Sequence, residues 1–375
     1  MKIEFYRHNI DQQDIGNVVK VLNSLFLTHG VVVEDFESRF SQYLGCKYTV
    51  GVNSCTAALH LAILACDIGA GDEVITTPMT FIATANAILH AGATPVFIDV
   101  EPDTGNLDAD MIEKAITRRT KAILPVHLYG QMCDMKKIKE TADRHGLIII
   151  EDAAHCIEGV RDGVRPGMLG EAACFSFYAT KNITSGEGGA VSTNDERIAE
   201  LIRKLRLHGM SKGASARYSK RYEHWDMEML GWKYNMNNIQ AAMLLGQLEV
   251  IEKNLKRREY ICRKYEESFE SNSEITCLKI VPGSKSARHL FTILVDPKNR
   301  DFILHRLQEK EIGVAVNYRA VHLLTYYCEK YGFKKGMFPA AERIGDSTIT
   351  LPLYPKLSDE EIDCVIESVN EITTK

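Results

Sequence analysis

The sequence contains no Cys-x-x-Cys pair, no glycine fingerprint of the Gly-x-Gly-x-x-Gly kind after a strand-like run, and no apolar run near the ~20 residues that span a bilayer. Its 10 cysteines are scattered along 375 residues, with no histidines at zinc spacing. Neither a disulfide framework nor a metal site is therefore expected, and the thiols read as buried and reduced. The missing fingerprint argues against a dinucleotide-binding oxidoreductase. Positive charge is not in excess either: 45 Lys and Arg stand against 50 Asp and Glu, a net charge of -5. That balance offers no general attraction to nucleic acid or to an anionic membrane, and neither is expected as a partner. The opening stretch from Met1 to His8 has no apolar leader core, so a cytoplasmic enzyme is the expectation.

What is present is an ordinary globular composition, 45% hydrophobic and 25% charged, in a chain long enough for two domains. Between about Tyr48 and Thr193, short β-type runs alternate with helical patterns. Residues 72–76, 94–99, 121–126, 147–151 and 173–178 read as strands, and 56–66, 81–90, 109–116 and 135–145 as helices. The strands are apolar almost throughout, which predicts an α/β fold with a mainly parallel sheet buried on both faces. Ligands of such sheets bind beyond the carboxyl ends of strands, where Asn53, Thr77, Asp152 and Ser176 fall. Residues 234–265 read as one long helix leading out of a large domain, 1–250. A smaller α+β domain, 251–375, is expected to hold strands at 289–295 and 313–317 and helices at 301–310 and 358–373, and the extreme N-terminus is expected to pack against it.

Lys181 lies between the β-type run Phe175–Tyr178 and the glycine cluster Gly186–Gly189. A lysine after a strand is usually a solvated surface group, so its meaning rests on its neighbours. An amine in this setting suits a Schiff base with pyridoxal 5'-phosphate, a cofactor that also needs a carboxylate for its ring nitrogen, a face for its ring and donors for its phosphate. Asp152 directly follows an apolar strand and could supply the carboxylate; the plainer reading is that it caps a helix starting at Ala153. His155 would share that turn. Val52 to Leu59 reads as a strand breaking into a helix at Ser54, Cys55 and Thr56, an N-cap by default and a phosphate site in company. Ser176 offers a further hydroxyl, and Phe81, just inside a helix, an aromatic face.

Taken in order, residues 53–59, 77–86, 151–155, 175–182, 186–189 and 231–242 resemble the motifs of the DegT-type PLP-dependent nucleotide-sugar aminotransferases. These are enzymes of fold type I, the aspartate aminotransferase-like fold, with a seven-stranded sheet. The resemblance covers nearly the whole chain. It implies that Lys181 forms the Schiff base, Asp152 binds the pyridine nitrogen, Phe81 and His155 flank the ring, and Thr56 and Ser176 bind phosphate together with the turn at Ser54 and Cys55. It further implies a homodimer in which Asn235 reaches the phosphate of the partner subunit's cofactor. Cys55 departs from the Gly or Ala of many relatives, which leaves the phosphate geometry there open. The segment Asn317 to His322 matches a substrate-facing element, making Tyr318, Arg319 and His322 candidates for substrate contact; its Arg-Ala-x-His form is similar to the branch making UDP-4-amino-4-deoxy-arabinose, although Asn317 replaces a common histidine.

The implied reaction passes an amino group from L-glutamate to the C4 ketone of a nucleotide-linked, UDP-type sugar, releasing 2-oxoglutarate for cell-surface glycan or other glycoconjugate synthesis. The freed Lys181 is the natural proton-transfer base. Alternatives are a C3-keto sugar aminotransferase, a PLP-dependent sugar dehydratase of the same fold, in which histidine replaces the lysine, and a non-catalytic cofactor-binding regulator.

Overall fold

The computed structural model describes residues 1–211 and 224–374. Two helices, α1 (Gln12–Leu22) and α2 (Val31–Leu44), come first. They are followed by β1 (Tyr48–Val52), α3 (Cys55–Ala65), β2 (Glu73–Thr76), α4 (Ala83–His90), β3 (Thr94–Phe97), α5 (Ile112–Ala115), β4 (Thr120–Ile123), α6 (Met135–His145), β5 (Ile148–Asp152), β6 (Ala172–Ser176), β7 (Gly189–Thr193) and α7 (Glu196–Leu205). The strands form one sheet of order β1-β7-β6-β5-β4-β2-β3, in which β7 runs antiparallel to both neighbours and the other pairings are parallel. The α/β fold read from the alternation is therefore the fold observed.

Every residue of β2, β6 and β7 is buried, as strands covered on both faces require. Helix α3 is buried nearly all round because it lies between β5, β6 and β7 on one side and α4 and α7 on the other. On the opposite face, Phe36 and Phe40 of α2 meet Phe175 and Phe177 edge-on at 5.1–5.5 Å between centroids. Each such pair adds about 0.5–1.5 kcal/mol beyond the area it buries, and together they anchor the segment that leads to Lys181.

The single helix expected over 234–265 is two helices, α8 (Asn238–Glu249) and α9 (Ile251–Phe269). Residues before 238 stay extended because the Tyr234 carbonyl accepts the Asn53 N–H at 2.7 Å and Asn235 bridges Val52. A capping box between Asn237 and Gln240 then starts α8. The break comes at Val250, which leaves helical ψ at 9°. Ile251 still packs in the core around α2 and α8, whereas Ile261, Tyr265 and Phe269 enter a second core.

That second core surrounds an antiparallel sheet of order β10-β9-β8, built from β8 (Thr276–Cys277), β9 (Phe291–Leu294) and β10 (Thr348–Leu351). Helices α10 (Arg300–Glu309) and α13 (Asp359–Thr373) pack on it, as does Ile3; α11 (Thr325–Tyr331) and α12 (Pro339–Ser347) lie between. The strand expected at 313–317 is reduced to one bridge, Ala315 with Thr350. Gly313 instead gives its N–H to Ile3, so this backbone is divided between two partners and forms no ladder. Among the described residues no helix is long and apolar enough to cross a membrane.

Candidate active site

A cavity of about 520 Å³ opens beyond the carboxyl ends of β1, β5 and β6. Ser54, Cys55, Thr56, Phe81, Asp152, His155, Ser176, Lys181 and Tyr318 all line it. Lys181 stands on the loop after β6, which is pinned by hydrogen bonds from Phe177 N to Gly188 O, from Ser185 N to Phe177 O and from Lys181 N to Tyr178 O. The side chain keeps partial exposure because it faces the cavity, but the surrounding protein desolvates the amine and lowers its pKa to about 8; Cys55 and Asp152 act the other way.

Asp152 ends β5 and is 5% exposed. No helix starts at Ala153; Asp152 Oδ1 instead accepts the Ala154 N–H at 3.1 Å in a local turn. Its Oδ2 accepts from the Thr84 hydroxyl at 2.7 Å, so the Thr80 hydroxyl, 2.7 Å from Thr84, must donate in turn. Burial pushes the Asp152 carboxyl up, while Thr84, the Ala154 N–H and Lys181 hold it down. A cation placed against it would be strongly favoured.

The first turn of α3 faces the same space. The Ser54 hydroxyl caps the Ala57 N–H at 3.1 Å, and the N–H groups of Cys55 and Thr56 have no partner within the helix. Cys55, at 9% exposure, leaves this turn regular. Gly189 makes the approach feasible: a Cβ there would sit 2.4 Å from the Ser54 carbonyl carbon and 2.6 Å from Cys55 N. Ser176 Oγ accepts the Tyr178 N–H at 3.3 Å, which leaves its own proton free to donate. Free N–H groups at a helix start, with Thr56 and Ser176 beside them, fit a phosphate.

His155 accepts the Tyr129 N–H at Nδ1, 3.2 Å away, so as a neutral ring it carries its proton on Nε2 and donates to the Tyr318 hydroxyl at 3.0 Å. Burial, then Lys181, pushes its pKa well down, so neutral it is. Phe81 lies just ahead of α4, rather than inside it, and its ring is 5.7 Å from that of Tyr318.

Arg319 and His322 are not brought to this cavity, and Asn235, expected to serve the partner subunit's site, also lies outside it. Asn235 bonds the Met236 carbonyl, and Arg319 is exposed. His322 is fully buried in a short turn, with Nε2 3.0 Å from Glu342 Oε1, and so faces the interior. Two residues absent from the sequence reading do belong to the site: Thr84, which orients Asp152, and His289, whose Nε2 is 3.4 Å from Lys181 Nζ. Thr84 falls within the 77–86 motif and one helical turn after Thr80, which is the signal that could have found it. For His289, 108 positions from Lys181, there is no local signal.

Comparison with known proteins accounts for this arrangement. Residues 8–370 match the DegT/DnrJ/EryC1/StrS aminotransferase family. The chain belongs to that family. It is 43% identical to the spore coat polysaccharide biosynthesis protein SpsC of Bacillus subtilis, over 97% of this chain and 95% of that one. It is 36% identical to the GDP-perosamine synthase of Caulobacter vibrioides, over 97% and 96%. The putative sugar aminotransferase Spr1654 of Streptococcus pneumoniae, in its PMP form, superposes with a TM-score of 0.94 at 33% identity, covering 99% of both chains; its PLP form gives 0.93. This DegT-family protein is thus a PLP-dependent sugar aminotransferase.

Proposed function

We propose that the enzyme takes an amino group from L-glutamate and delivers it to the C4 ketone of a nucleotide-linked sugar, UDP-linked in the first reading, giving a 4-amino sugar nucleotide and 2-oxoglutarate. The observation that carries the reading is the Lys181 amine, with its pKa lowered to about 8, facing a 520 Å³ cavity that also holds Asp152. Pyridoxal phosphate, when bound, supplies an electron-withdrawing ring that stabilises negative charge at the substrate carbon. The protein does the rest. Asp152 holds the positive ring nitrogen, the N–H groups of Cys55 and Thr56 with the hydroxyls of Thr56 and Ser176 hold the phosphate, and Phe81 and His155 flank the ring. Lys181 moves the proton at the substrate carbon. With a pKa near 8, about one lysine in ten is already the free base at pH 7.

The resemblance of the 151–155 and 186–189 motifs to C4-specific relatives supports C4 over C3, and Lys181 in place of histidine supports transfer over dehydration. The SpsC likeness supports a product destined for a cell-surface polysaccharide. We place the enzyme in the cytoplasm as a homodimer in which Asn235, outside its own subunit's cavity, serves the partner subunit's phosphate site. A GDP-linked sugar is the second reading, favoured by the likeness to a GDP-perosamine synthase. Incubation with pyridoxal phosphate, glutamate and a panel of UDP-, dTDP- and GDP-linked 3-keto and 4-keto sugars, following 2-oxoglutarate and the product's amine position by NMR, tests both. Turnover with one 4-keto sugar nucleotide supports the proposal; turnover confined to 3-keto sugars, or glutamate left unconsumed with every ketone, overturns it.

A further inference from the structure

His289 precedes β9 and is 4% exposed. Its Nε2 lies 3.4 Å from Lys181 Nζ and its Nδ1 lies 3.1 Å from Asn182 Oδ1. The orientation of the Asn182 amide is fixed, because its nitrogen donates to Glu158 Oε2 at 2.9 Å and to the Ala287 carbonyl at 3.0 Å, neither of which it could meet with its oxygen. Glu158 is in turn held by Arg258, whose guanidinium is 2.5 Å from Oε1; both are buried to within 3%. Asn182 therefore presents an acceptor to His289, the proton of the neutral ring must sit on Nδ1, and the Nε2 lone pair must face Lys181. The His289 pKa is pushed well down by burial, Lys181, His155 and Arg258, which keeps the ring neutral.

We propose that His289 is a positioning residue for Lys181, its tautomer set by the relay Arg258–Glu158–Asn182. With one N–H held by Nε2, the amine has its lone pair aimed away from His289, into the cavity. An acceptor also favours the ammonium, with three donors, over the amine, so His289 offsets part of the effect of burial on the lysine. The proposal rests on Lys181 being the reacting amine.

The test uses the apo-protein and pyridoxal phosphate alone, measuring the rate at which the aldehyde is captured, with loss of one water, from pH 6 to 10. The groups facing the pair are Cys55 on α3, Asp152 at the end of β5, His155 on the following turn, Tyr318, Arg258 on α9, and Tyr6, Arg7 and Tyr354, which line a small neighbouring space with Lys181 and His289. Every variant below retains them. Burial pushes Cys55 well above 9 and His155 well below 6.5, out of the window in which Lys181 titrates. His289→Phe, which keeps a ring without an acceptor, should lower the midpoint of the profile by about one unit. His289→Gln, which restores an acceptor, should hold it near the wild-type value. Asn182→Ala should move it in the same direction as His289→Phe and add nothing in that background. An unmoved midpoint in His289→Phe, or an equal shift in His289→Gln, overturns the proposal; if the Phe variant does not fold, equal midpoints for Asn182→Ala and wild type do so. Capture by Lys181→Ala would instead remove the reading of Lys181 itself.

Discussion

One wall of the cavity, carrying Asp152, Ser176 and the first turn of α3, hangs from the carboxyl ends of regular strands, whereas the other, carrying Asn317 and Tyr318, comes from irregular chain, as does His289 behind Lys181. The hydrogen bonds that the first wall does make stay within it: Thr84 serves Asp152, Ser54 serves Ala57, and Ser176 accepts from Tyr178. The irregular chain reaches across, Tyr318 to His155 and His289 to Lys181. The charges and donors that a cofactor needs are thus set by the sheet, while the orientation of the amine and the imidazole depends on contacts between distant parts of the chain.

If the sheet-borne wall carries the chemistry, Lys181→Ala should have the largest effect, a loss of about 10²–10⁴-fold in 2-oxoglutarate release, the usual contribution of a placed base. Asp152→Asn keeps the shape but removes the charge, and should slow the glutamate half-reaction by about 10²-fold, in line with one to three pKa units of support for the pyridinium. Because burial lowers the Lys181 pKa and the free base is the working form, kcat should climb with pH up to about 8 and level off above it. A profile that falls over that interval would place the working base elsewhere. Thr84→Val removes one hydrogen bond from Asp152, worth about 1 kcal/mol, and should cost about fivefold in the same half-reaction. Smallest in activity is His322→Gln: KM for the sugar should stay within about twofold while a urea titration shows destabilisation of about 1–3 kcal/mol, the cost of disturbing a buried polar pair. A large KM effect there would show that the second wall reads substrate more deeply than its contacts imply.

The same division explains what the sequence made legible. Asp152, Ser176 and Thr56 stand next to strands or helix starts whose period is visible in the residues themselves, and α6 matched its expected span, 135–145, because Asp134 caps it and Gly146, at φ +64°, ends it. The helix read over 234–265 failed at Tyr234 to Asn235, where pairing with Val52 and Asn53 outweighs apolar spacing, and at Val250, where the backbone leaves helical ψ. The strand read at 313–317 failed because Ile3, more than 300 positions away, takes its hydrogen bond. Asp152 was expected either to cap a helix or to face a ligand; a turn that uses only one of its oxygens leaves the ligand-facing role open. His289 opens an expected strand but has nothing in the sequence that links it to Lys181, 108 positions away, and only folding brings the two together.

The closeness of Gly189 to Ser54 and Cys55 limits how this enzyme can be re-engineered. Thr56, Ser176 and Phe81 line the cavity, so substituting them would change contacts to the cofactor without first reshaping the backbone. Gly189 allows no such variation, since even alanine would drive β7 and α3 apart. A directed-evolution campaign seeking a different sugar should therefore leave that one position invariant and spend its diversity on the wall that carries Tyr318.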